Sequence, residues 1–96
     1  MLTGKQKSYL RGLANTEKSM FQIGKDNISE NLIESVDEYL KAHELCKVNL
    51  LKTAELEVRE AALLLASETR SEVVQLIGRT IVLFRKERDG KIILPR

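Results

Sequence analysis

Apolar residues recur along this 96-residue chain at two spacings, and each change of spacing marks a structural element. Leu10, Leu13 and Ala14, with Tyr9 alongside, share one side of a helix predicted over residues 4–14. Thr3 and Gln6, three places apart, form a capping box at its start. A short strand follows over 20–23. Ser29 then serves as N-cap of a second helix, whose stripe is Leu32, Ile33, Val36 and Leu40, extending to His43. Glu34, Asp37, Glu38 and Lys41 fall on its solvent side. Residues 45–51 alternate as a strand, with Cys46, Val48 and Leu50 on one face and Lys47 and Asn49 on the other. A third helix is expected over about 55–69, burying Val58, Ala61, Ala62 and Leu65. Strands 73–77 and 80–85 are joined by Gly78-Arg79, a two-residue hairpin turn with glycine first. In an unbroken register Val74, Leu76, Ile81 and Leu83 share one face, and Gln75, Val82 and Phe84 share the other. Beyond an Asp89-Gly90 turn, Ile92-Ile93-Leu94 either adds an edge strand or lies against the domain.

The order α-β-α-β-α-β-β specifies an α/β fold in one domain, residues 1–96. Two β-α-β crossovers require parallel pairing with right-handed connections, and the closing hairpin adds an antiparallel strand. The second and third helices cover one face of the sheet. The first helix belongs to neither crossover and docks elsewhere, an arrangement expected to leave part of the second face, near Lys47, Gln75 and Phe84, open to a ligand.

The junction Gln22-Ile23-Gly24-Lys25-Asp26-Asn27-Ile28-Ser29-Glu30 carries the clearest chemistry. A glycine lets the backbone turn and approach a bulky ligand. The helix that follows directs unpaired N–H groups and the positive end of its dipole at the loop, and Lys25 adds a full charge. The matching guest is a phosphate; the alternative for Gly24 is a turn residue and nothing more. Net charge is +2, but residues 1–25 carry +4, residues 26–60 carry −5 and residues 61–96 carry +3. Either the two basic ends meet and attract a polyanion, or the mixed signs only keep the domain soluble.

Other chemistries are poorly served. The longest apolar run, residues 61–66, is far too short for a membrane span, and the N-terminus shows no signal region. The single cysteine, Cys46, can form neither an internal disulfide nor a multi-ligand metal site, which fits a reducing cytoplasm. It reads as a small apolar filler. His43 is the only histidine and reads as a capping or packing residue. Paired carboxylates in a cleft, a nucleophile elbow and a full phosphate loop are all missing, so no enzyme and no cofactor is expected. The four aromatics, Tyr9, Phe21, Tyr39 and Phe84, are scattered. That argues against a base-stacking reader of single strands and for contacts to phosphates and shape.

Several segments, in order, resemble a CRM domain (chloroplast RNA splicing and ribosome maturation) of the bacterial YhbY type. They are Leu2-Thr3-Gly4-Lys5-Gln6 with Tyr9-Leu10-Arg11, Gln22-Ile23-Gly24-Lys25, His43-Glu44-Leu45-Cys46-Lys47-Val48, the run from Val74 to Arg85, and Ile93-Leu94-Pro95. The resemblance implies a two-layer fold like the C-terminal domain of translation initiation factor three, with an added N-terminal helix. It also implies a four-stranded mixed sheet in the order 1-2-4-3 with strand 4 antiparallel. The implied function is RNA binding by a monomer, without membrane or DNA, on structured ribosomal RNA of precursor large subunits. The family loop reads Gly-x-x-Gly; here Gly24 and Lys25 match and Asn27 replaces the second glycine. Carried over, Gly24, Lys25, Asp26 and Asn27 hold a phosphate and Lys5, Lys7 and Arg11 track the adjoining backbone. Arg79 and Arg85 are further candidates, Arg85 alternatively pairing with a carboxylate, while Lys86, Arg88, Lys91 and Arg96 form a diffuse fringe. The competing class is a protein-interaction domain docking on an acidic or ribosomal protein. A small hydrolase acting on RNA lacks its acid–base pair.

Overall fold

The computed structural model describes residues 2–25 and 27–96. Its elements are α1 (Gly4–Ala14), β1 (Phe21–Ile23), α2 (Glu30–His43), β2 (Leu45–Leu50), α3 (Val58–Thr69), β3 (Glu72–Ile77) and β4 (Thr80–Phe84). The strands form one mixed sheet in the order β1-β2-β4-β3, with β1 parallel to β2 and the other two pairings antiparallel. The α1 capping box forms as read from Thr3 and Gln6, and the Ser29 hydroxyl accepts from Leu32 N–H at the start of α2.

Helices α2 and α3 cover one face. Val36 and Leu40 from α2 and Ala61, Ala62 and Leu65 from α3 are buried against Ile23, Cys46, Val48, Leu50, Ile81 and Leu83. Each of those side chains contributes about 1.5–3 kcal/mol if large and apolar. Burial also pushes the Cys46 thiol up to about 12, so it stays protonated and inert as a packing group.

The second face is closed, not open. Leu10 and Ala14 of α1 pack on Leu45, Val74, Val82 and Phe84, with Leu2, Leu13, Ile92 and Leu94 around them. Phe84 is only 2% exposed. Lys47 Nζ donates to the carbonyls of Ala14 (3.2 Å) and Glu17 (3.3 Å), holding the end of α1. The reason is physical: α1 carries an apolar stripe, and the uncovered sheet face is the surface on which to bury it.

Val74 is also on the side opposite to that expected. A bulge lies between Val73 and Gln75, so Val73 pairs with Leu83 while Gln75 pairs with Val82. The extra residue moves Val74 to the α1 face beside Val82 and Phe84, and Val73 takes its place in the main core. Helix α3 begins at Val58, three residues later than expected. Residues 51–54 form a turn closed by Ala54 N–H donating to Leu51 O, and Glu55 N–H donates to Asn27 Oδ1. His43 is exposed, its ring stacked on Tyr39 at 4.3 Å. The 92–94 segment adds no strand; it lies against the second core.

One buried acid organises that tail. Glu44, at the C-cap of α2 with φ 65°, is 1% exposed. Its carboxylate accepts the N–H groups of Glu87 (2.8 Å) and Ile92 (3.0 Å), with Lys86 Nζ at 3.4 Å. Burial alone would raise its pKa; these donors outweigh burial and hold it below the usual carboxylate range.

Candidate nucleic-acid interface

The carboxyl ends of the parallel strands β1 and β2 and the β3–β4 hairpin turn all lie at one end of the sheet, because Asn49 pairs with Thr80 and Ile23 with Leu50. Three loops therefore meet there: residues 24–29, residues 51–57, and Gly78-Arg79. In the first loop Asn27, which replaces the second glycine of the family loop, takes the left-handed conformation (φ 53°), while Gly24 has no positive φ. A Cβ at Gly24 would rest 3.4 Å from Leu51 Cδ1 and Thr53 Oγ1, so the second loop packs directly on the first. Asn27 N–H donates to Gly24 O at 2.9 Å, closing the turn. Its side chain points away from that turn to accept Glu55 N–H at 3.1 Å. Asparagine tolerates the left-handed region better than most residues, and here its carboxamide ties the two loops together. Asp26 lies outside the described residues.

Lys25 is exposed at this end, next to the start of α2. Arg79 is exposed in the hairpin turn, with Nη1 3.4 Å from Leu51 O. Lys52, which carries no motif and was not among the sequence candidates, lines a groove with Arg79 between Leu50 and Val58. The only cue to it in the sequence is a lysine immediately after an apolar strand. The three cations come from three separate loops and share one end of the molecule. Glu55 and Glu57 of the second loop and Glu30 in the first turn of α2 bring carboxylates to the same end.

The helix 1 trio divides. Gln6 Nε2 donates to Pro95 O, and Leu13 lines a groove with Lys91 and Ile92, so that flank of α1 faces the C-terminal tail. Lys7 and Arg11, four residues apart, lie on the other flank of α1. Lys5 is two residues from Lys7, hence about 160° around the helix, and stands apart from them.

Arg85 must be removed from the phosphate contacts. Its side chain is 15% exposed, and its guanidinium is held by Asp37 Oδ1 (2.6 Å), Glu87 Oε2 (2.7 Å) and Thr69 O (2.6 Å). It fastens α2, α3 and the tail to the end of β4, and the hydrogen bond from Arg85 holds the Asp37 carboxyl below its usual range. The carboxylate alternative is the one realised.

Comparison with known proteins shows the family. The family described as CRS1 / YhbY (CRM) domain matches residues 2–85. The chain belongs to the CRM domain family. YqeI of Bacillus subtilis (strain 168), named a probable RNA-binding protein, is 42% identical over 93 residues, spanning 97% of this CRM chain and 97% of its own length. An RNA-binding protein of Haemophilus influenzae is 33% identical over 96 residues, covering 99% and 96%. The solution structure of SAV1595 from Staphylococcus aureus superposes with a TM-score of 0.84 at 48% identity, covering 99% of this CRM chain and 100% of that one. The relatives are named for RNA binding, not for a reaction.

Proposed function

We propose that this CRM domain binds structured RNA through the loop end of its sheet, and that its target is ribosomal RNA in the precursor of the large subunit. The observation that carries the reading is the meeting of Lys25, Lys52 and Arg79 on three loops beside the start of a fourteen-residue helix. An anion there gains the helix dipole and three cations at once. Lys7 and Arg11 extend the positive surface along α1. The aromatics form no exposed stacking row, which supports recognition of backbone and shape: Phe84 is buried, Phe21 packs edge to face on Tyr39, and Tyr9 alone of the four is exposed. The ribosomal target rests on the likeness to stand-alone bacterial members of the family.

The test is crosslinking in cells followed by sequencing of the bound RNA. Enrichment of large-subunit precursor RNA is expected, together with its loss for Lys25→Glu, whose thermal unfolding should match that of the unaltered protein. Recovery dominated by other RNA classes overturns the ribosomal target. Unchanged recovery by Lys25→Glu removes the loop from the interface.

A further inference from the structure

A shallow, open groove of about 530 Å³ lies along α2 beside Phe21 of β1. Its floor is aromatic. Phe21 of β1 meets Tyr39 of α2 edge to face at 5.7 Å, and the His43 ring lies 4.3 Å beyond. Glu34 and Glu38 line its rim, and Glu38 is 76% exposed with Lys41 Nζ at 3.8 Å. These acids belong to the central third of the chain, which carries −5. The groove also runs beside an open strand edge, because β1 is outermost in the sheet and, among the described residues, pairs with β2 alone.

We propose that this groove docks an extended arginine- or lysine-rich segment of another protein, laid along β1 as an added strand. An unpaired edge offers main-chain hydrogen bonds to such a segment. Alternate residues on one side of a strand are about 6.6 Å apart. Glu34 and Glu38 are separated by about 6 Å along α2. Two cations of the segment therefore stand opposite two carboxylates. Their aliphatic stems lie across Phe21 and Tyr39, and their heads gain from the ring faces as well as the acids. The same carboxylates repel a nucleic acid, so this surface suits a basic protein and not RNA. The inference is independent of the RNA reading, since none of its residues is a proposed phosphate contact.

The experiment uses the full chain and a fluorescein-labelled peptide of five Arg-Val repeats. Binding is followed by anisotropy, and its location by amide chemical shifts. Saturable binding is expected, with shifts centred on residues 20–23 and on Tyr39 and His43. The double variant Glu34→Gln/Glu38→Gln should weaken it about fivefold, the scale of two exposed ion pairs. Both sites are exposed, so the fold is retained. Glu60→Gln/Glu68→Gln removes the same charge from the exposed side of α3 and should leave affinity unchanged. Equal weakening by both double variants, shifts centred elsewhere, or no binding at all overturns the proposal. So does a second copy of the chain filling the groove in the absence of peptide.

Discussion

Replacing Glu44 with glutamine tests how the second face of the sheet is held closed. The substitution keeps side-chain volume and the left-handed backbone at this position, and changes only the acceptors. The carboxylate accepts Glu87 N–H through Oε2 and Ile92 N–H through Oε1. An amide can accept one of these and must turn its NH2 toward the other. A buried N–H left without an acceptor costs about 1–3 kcal/mol, and reducing the surviving bond from ionic to neutral costs about 1 kcal/mol more. The expected loss is about 2–4 kcal/mol, out of a total of about 5–15 kcal/mol for a domain. At about 4–8 °C per kcal/mol, the melting temperature should fall by at least about 8 °C. Urea unfolding at neutral and acid pH measures it. The sign of the pH effect follows from the depressed folded-state pKa of Glu44. Its contribution is complete above the unfolded value of about 4.3 and is lost as pH falls through the folded one. The gap between the two proteins should therefore narrow on acidification. A Glu44→Gln protein within about 0.5 kcal/mol of the unaltered one at neutral pH, a mere surface effect, would refute the reasoning. So would a gap that does not change with pH.

Two further outcomes follow from the same contacts. Asn27→Ala should cost about 2 kcal/mol, combining left-handed strain with the lost bond to Glu55, whereas Asn27→Gly should cost about half that; equal losses in urea melts would exclude a role for the left-handed conformation. Arg85→Ala should destabilise by about 3 kcal/mol by stranding Asp37 and Glu87, yet leave RNA affinity of the folded protein unchanged; reduced affinity in anisotropy titrations would restore Arg85 to the interface.

The elements were legible because each buries one face at its own period: the stripe of α2 and the alternation of β2 repeat over enough residues to be unambiguous. The bulge at Val74 was not, since the local alternation of 73–77 gives no sign of an extra residue; the partner strand decides it. Closure of the second face was half legible. The stripe of α1 was plain, but local pattern does not say which surface receives it. Glu44 reads as one more helix-terminal acid until the tail returns 43 residues later with two N–H groups. Arg85 was ambiguous for the same reason, its carboxylates lying 48 residues before it and two after. At the candidate interface, Gly24 and Lys25 stood out because a motif surrounds them. Lys52 did not, because only the packing of its loop against Gly24 brings it there. The family likeness carried the functional class; the coordinates sorted the cations.

Salt dependence of RNA binding tests the central claim most directly. With Lys7, Arg11, Lys25, Lys52 and Arg79 facing one backbone, log K against log salt concentration for a folded RNA should have a slope of about −3.5 to −4.5, from about 0.7–0.9 for each phosphate. Lys25→Gln and Lys52→Gln should each flatten it by roughly one such step, while Lys5→Gln and Arg88→Gln leave it unchanged. Equal flattening by all four substitutions, or by none, would contradict a focused site at the loop end of the sheet.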